Sequence, residues 1–289
     1  MSYYRRIYGN FLVQDNIANT AADFKEFTVT VPTDSRLPLS GQKLTVYDIN
    51  PVLADGRPFS TTTNIIKPAS DYGHQFLHWD GFDINSNVRL QKITFQGGVT
   101  FGKTMSDNCE IVKQLPEVLT NAIVVTAGAP YSASAVNLPR EFCHNETGWF
   151  PTWKMIGSYD LPWQGIRFSS NFQSLAGPGL QAGVIYSSAD VTAALGRGLS
   201  GGGNKTVNVF DPNTAFGDRL YQVDLRFTKI FKVNERNSID ANFDIYNTLN
   251  SDAATAENQT YTTPGGGLWR RPTGVIQGRI FKFGMRWDF

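Results

Sequence analysis

The sequence predicts an all-β fold: a segment of a transmembrane antiparallel β-barrel, with about eight up-and-down strands, short turns at one end and long loops at the other. Three observations carry this. Apolar and polar residues alternate with period two through segments near the 9–11 residues that cross a bilayer at a tilt. The links between those segments alternate between very short and very long. The composition, with 20 Phe, 11 Tyr, 6 Trp and 27 Gly in 289 residues, suits strands and turns better than helices.

Taken in order, the first strand is "YYRRIYGNFLV", with Ile7, Phe11 and Val13 on one face. "GFDINSNVRL" sets Phe82, Ile84, Val88 and Leu90 against Asp83, Asn85, Asn87 and Arg89. After a tight turn, "ITFQGGVTFGKT" sets Ile93, Phe95, Val99 and Phe101 against Thr94, Gln96 and Thr100. A second hairpin is "WKMIGSY", turn "DLPW", then "GIRFSSNFQS". A third is "RLYQVDLRFTKIF", turn "KVNERN", then "SIDANFDIYNTL". The final strand is "RIFKFGMRWDF". The long links are expected at roughly 14–76, 107–150, 176–218 and 250–278.

The faces discriminate between a barrel and a soluble sandwich. A solvated exterior would be rich in Lys and Glu. Here the polar face holds Asp, Asn, Gln, Arg and Thr, which suits a wet lumen. Asp224, Arg226, Asp240, Asn242, Asp244, Lys282 and Arg286 are expected to face it. Arg5 and Lys229 fall on the apolar side, expected near the short-turn ends where they could snorkel to headgroups. A sandwich would instead interdigitate Phe227, Phe243 and Phe283 in one core between two packed sheets.

Other classes are disfavoured. A net charge of +1 with scattered Lys and Arg gives no field for nucleic acid. No window nears the roughly 18 apolar residues of a spanning helix, and "MSYYRRIYGN" lacks the apolar core of a secretory signal. Cys109 and Cys143 sit in polar stretches, "SDNCEI" and "REFCHNET", and are expected to form a disulfide closing a long loop in an oxidising compartment.

Catalytic and metal chemistry finds little support. His74 and His78 in "HQFLH" have helical ligand spacing but lead into a strand, where residues four apart are about 13 Å from each other. His144 beside Cys143 has no third group and no free thiol to activate. "GRGLSGGGNKT" departs from a phosphate-binding loop at Asn204 and reads as a flexible outer loop. No enzyme, cofactor or metal is expected. Aromatic residues in the long loops, Tyr47, Tyr72, Trp149, Tyr186, Tyr261 and Trp269, are candidates for ligand contact, against the alternative that the loops pack on one another.

Taken together, "WDGFDINSNVRL", "ITFQGGVTFGKTMSDNCEI", "GSYDLP" with "FSSNFQSLAGP", "GDRLYQVDLRFTKIF" with "IDANFDIYNTLN", and "RIFKFGMRWDF" resemble the C-terminal part of a TonB-dependent outer-membrane transporter. The likeness is to the large Oar-like type, which carries a carboxypeptidase-regulatory-like domain at its N-terminus. The resemblance implies a bacterial outer-membrane location and a larger barrel surrounding a plug. It also implies import of an unidentified ligand (siderophore, oligosaccharide or peptide). The plug, TonB box and signal peptide are expected to lie outside these residues, so that the TonB complex would be a partner only through that N-terminal region. Outer-membrane lipid and the barrel-assembly machinery are the other implied partners. The ending resembles a C-terminal assembly signal, with Phe281, Phe283, Met285, Trp287 and Phe289 as its apolar positions. The alternative is a complete eight-stranded barrel acting as adhesin or structural protein, which would require the first and last strands to pair.

Overall fold

Alternation of side chains at every second residue builds one long antiparallel sheet. The computed structural model describes residues 1–59, 62–120, 124–125, 136–162 and 165–289. Its sheet contains eight strands in chain order: β1 (Ser2–Tyr8), β2 (Phe76–Arg89), β3 (Ile93–Asp107), β4 (Phe150–Asp160), β5 (Ile166–Leu175), β6 (Leu220–Lys232), β7 (Ser238–Tyr246) and β8 (Ile280–Asp288). Each pairs antiparallel with the next, and a short strand, His144–Glu146, adds to the end of β3. The up-and-down order and the alternation of short and long links are those of a barrel wall. No helix among the described residues is long and apolar enough to cross a membrane.

The register aligns like with like. Phe168, Phe227, Phe243 and Phe283 form one row across β5 to β8. Their rings pack side by side, with centroids 5.2, 6.5 and 4.9 Å apart along the row, the first pair tilted and the other two stacked. Phe283 is 80% exposed. The three phenylalanines that a sandwich would bury between two sheets therefore lie side by side on the outside of one. β1 and β8 do not pair with each other, so the sheet is open, and closure of these eight strands into a small barrel is not what this chain adopts.

Two features differ from the sequence reading. The first predicted strand is two: β1 stops at Tyr8, Asn10 takes a left-handed φ of 56°, and Leu12–Asn16 pairs instead with Asn64–Pro68. Ile7 stays exposed on the sheet, while Phe11 and Val13 turn into a separate core. Arg5 also sits opposite Asp80, toward the long-loop end of β2 rather than the short-turn end, and ion-pairs with it at 3.3 Å. Lys229 does lie near the short-turn end of β6, with Nζ 5.4 Å from the Phe231 ring centroid. Of the turn "DLPW", Trp163 lies outside the described residues.

The long connections fold together into a second body beyond one end of the sheet. Its main core joins Phe27, Val46, Val184, Val207, Tyr261 and Trp269, drawn from the first, third and fourth connections. A smaller core holds Phe11, Val13, Ile111, Val112, Val118 and Leu119, from the first and second. Burial of this much apolar area accounts for order in segments that lack a strand-crossing pattern. A Cys109–Cys143 disulfide, Cα–Cα 4.9 Å, closes the base of the second connection beside the smaller core.

Candidate functional site

Side-chain hydrogen bonds and ion pairs link the strands on the polar face of the sheet from β4 to β8. Arg226 donates to Asp244 through Nε at 2.6 Å and Nη2 at 3.0 Å, a two-pronged pair across β6 and β7. Arg286 on β8 reaches Asp240 at 3.2 Å and Asp288 at 2.6 Å. Thr228 donates to Asn242 at 2.7 Å, and Asp224 accepts from Gln222 and from the Asn247 amide at 2.8 Å. Lys282 lies opposite Asp244 in register. The seven residues expected on a lumen face thus share one face, opposite the phenylalanine row. Farther along it, a concavity of about 690 Å³ is lined by residues including Asn85, Gln96, Thr100, Lys154 and Asn171.

Trp79 also lies on this polar face, as do Ile156 and Ile230 by register. Its indole lies flat over Gly81 and Gly102; a Cβ on either would meet the ring at 1.9 and 2.3 Å. Both positions therefore require glycine.

At the junction of sheet and outer body, the apolar face becomes charged. Tyr3 donates to Asp80 at 2.6 Å, and Arg5 and His78 approach the same carboxylate at 3.3 Å. Lys103 pairs with Glu146, and His144 Nδ1 lies 2.9 Å from Asp107. Immediately below, Trp149 packs on Phe82 and Phe101, centroids 5.9 and 6.1 Å away. His74 stacks near Phe76 and shares no ligand set with His78; no group of three metal-ligating side chains occurs among the described residues.

Of the six loop aromatics weighed between ligand contact and loop packing, four are packed inside the outer body. Tyr47, Tyr186, Tyr261 and Trp269 are buried. Their polar atoms are used internally: Tyr47 donates to Glu26 at 2.8 Å, Tyr186 to the Thr30 carbonyl at 2.9 Å, Tyr261 to Asp34 at 2.8 Å and Trp269 to the Gln181 carbonyl at 2.7 Å. Tyr72 is half-buried against Lys67 and donates to Asp15. Trp149 is exposed, but on the apolar side of the sheet. These rings are large apolar surfaces, and once four connections pack together the core takes them.

A cleft of about 480 Å³ opens where the first, second and third connections meet, and none of those six aromatics lines it. Its walls include Asn16, Asn19, Asn64, Asn137 and Asn204, the rings of Phe24 and Phe59, and the charged Asp48, Glu117 and Lys205. Burial alone would raise Asp48, but the Arg197 guanidinium at 2.6 Å and the Lys205 ammonium hold its carboxyl below the usual range. Burial lowers the Lys205 ammonium despite Asp48 at 3.3 Å. The segment containing Lys205, expected as a flexible loop, is thus fixed: Ser200 also donates to Asp48, and Lys205 to the Tyr47 carbonyl at 2.7 Å. Glu117 differs. Both carboxylate oxygens are shielded from solvent, and burial pushes its pKa up to about 7 although the backbone amides of Glu117 and Asn16 favour the charged form. Nothing in the periodicity of the sequence points to this residue; its signal is a carboxylate buried beside the smaller core.

No family model matches this chain, and no curated protein matches it. Among solved structures it is similar to the outer membrane transporter YddB from Escherichia coli, at 13% identity and a TM-score of 0.41, over 99% of this chain. The chain spans about 30% of the length of that protein.

Proposed function

We propose that this chain forms part of the wall and outer cap of an outer-membrane transport protein in a Gram-negative bacterium. The observation that carries the reading is the two-faced sheet. Aromatic rows lie exposed on one side, where a soluble protein would expose a patch prone to aggregation. A paired polar network lies on the other, where a water-filled or plugged lumen would need it. Backbone groups at both open edges would be unsatisfied in lipid, so β1 and β8 must find partner strands. The outer disulfide suits an oxidising compartment.

In finer detail, the resemblance in sequence supports a TonB-dependent transporter of the Oar-like type. On that reading the plug, TonB box and export signal come from sequence outside these residues, and the TonB complex is engaged there. Outer-membrane lipid contacts the phenylalanine row. The assembly machinery reads Phe281, Phe283, Met285, Trp287 and Phe289. The chemistry is transport rather than catalysis. Fractionation of the full-length gene product, with heat-modifiable migration, tests the reading: recovery in the outer membrane is expected, and recovery in the soluble periplasm would overturn it.

A further inference from the structure

We propose that the concavity on the polar face of β2 to β5 is the docking surface of a protein segment held in the lumen, one that sets an Asp or Glu carboxylate against Lys154 and an apolar side chain against Ile156. This rests on the transport reading, in which the polar face lines a lumen.

The polar face is used unevenly. Toward β8 its groups answer one another: Gln173 donates to Gln222, Arg226 pairs with Asp244 and Arg286 with Asp240. The concavity has no such matching. Lys154 makes no hydrogen bond or ion pair among the described residues, and neither do the side-chain amides of Asn85, Asn87, Gln96 and Asn171. All five residues are exposed. The hollow forms where Gly98, opposite both Asn85 and Lys154 in register, brings no side chain; a Cβ there would meet Asn85 Oδ1 at 2.3 Å. Its lining contains one cation and no carboxylate. Asp83, two residues along β2 from Asn85 on the same face, makes no ion pair with Lys154. The charge of the surface therefore calls for an acidic partner.

Ile156 narrows the class of occupant. It lies two residues from Lys154 on the same face, between Gln96 and Asn171 in register, and is 55% exposed. An apolar side chain standing in lumen water gains by being covered. A free carboxylate solute would answer Lys154 and leave Ile156 wet. A polypeptide answers the whole surface: a carboxylate for the ammonium, an apolar side chain for Ile156, and backbone N–H and C=O groups for the four amides, which both donate and accept.

The test is carbodiimide crosslinking of the full-length gene product in isolated outer membranes, with the joined peptides read by mass spectrometry. The reagent links an amine to a carboxylate only where the two touch. The expected product joins Lys154 to an Asp or Glu outside these 289 residues. It should be lost in Lys154→Arg, which keeps the charge and removes the primary amine. In the same membranes Ile156→Cys is expected to react with a water-soluble maleimide about 10-fold more slowly than Glu235→Cys, in the turn between β6 and β7. Lys154 joined to Asp83 or to another acid of this chain would overturn the proposal. So would acetylation of Lys154 by a water-soluble ester with no crosslink, or unhindered labelling at 156. Recovery of the protein in the soluble periplasm would instead fail the transport reading, whereas a missing crosslink in protein recovered from the outer membrane fails this inference alone.

Discussion

Arg226 and Asp244 join β6 to β7 through two parallel hydrogen bonds on the face opposite the phenylalanine row, and Asp244 is buried at 3% exposure. The pair sits in the middle of a polar network that includes Tyr246 and, by register, Lys282. Removing one partner leaves a buried charge with poorer compensation. Arg226→Ala is expected to destabilise the wall by about 1–3 kcal/mol, and the Arg226→Ala, Asp244→Asn double variant by less than the sum of the two single changes. Urea unfolding in detergent, arranged as a double-mutant cycle, measures this; strict additivity would show that the two residues act independently.

Phe283 and Lys282 are neighbours in sequence with opposite surroundings. On the membrane reading Phe283→Arg costs about 2–4 kcal/mol near the bilayer midplane. Lys282→Ala, on the polar face, should change folding much less. Equilibrium folding into lipid vesicles compares the two, and equal costs would contradict the assigned faces.

The disulfide should matter to the outer body and little to the sheet. Its two cysteines are 34 residues apart in sequence. By the chain-entropy model the crosslink stabilises by roughly 3–4 kcal/mol. Cys109→Ser with Cys143→Ser is expected to raise hydrogen exchange in 108–120 and 140–147 while exchange in β5 to β8 stays unchanged.

Glu117 gives the outer body a pH dependence of defined sign. Its pKa rises from an ordinary 4.5 to about 7 on folding, because burial penalises the carboxylate. Between those values the folded protein holds a proton that the unfolded chain has released. Stability is therefore full below about pH 4.5 and falls as pH rises through 7, by at most about 3 kcal/mol. Glu117→Gln should flatten that slope in thermal unfolding followed from pH 4 to 8; an unchanged slope would assign it to other groups.

Phe289 is 96% exposed and follows the apolar positions of β8. If the ending serves as an assembly signal, deletion of Phe289 lowers outer-membrane abundance while the fraction that does assemble keeps its heat-modifiable migration. Normal abundance after deletion would refute that role.

The eight strands of the sheet were legible because period-two alternation is a local property. Ile239, Ala241, Phe243 and Ile245 declare their face without knowledge of any partner. The outer body was not legible for the opposite reason. Tyr186 and Tyr261 lie far apart in sequence, yet share one core because the loops pack on one another, and no short window records that. The same limit produced the error at the N-terminus: "NFLV" continues the alternation of β1, but the left-handed turn at Asn10 redirects Phe11 and Val13 into the smaller core. The burial of Glu117 was invisible because it arises only where the first and second connections pack together. The disulfide was legible from two cysteines in polar segments, since nothing else there accounts for them.

The central claim is that one face of the sheet meets lipid and the other meets water. Spin labels placed singly at 281 through 288 in the full-length protein, reconstituted in bilayers, test it by collision with oxygen and with a water-soluble nickel chelate. The account predicts alternation with period two: oxygen access at 281, 283, 285 and 287, and nickel access or immobilised labels at 282, 284, 286 and 288. Uniform nickel access along the strand would contradict it.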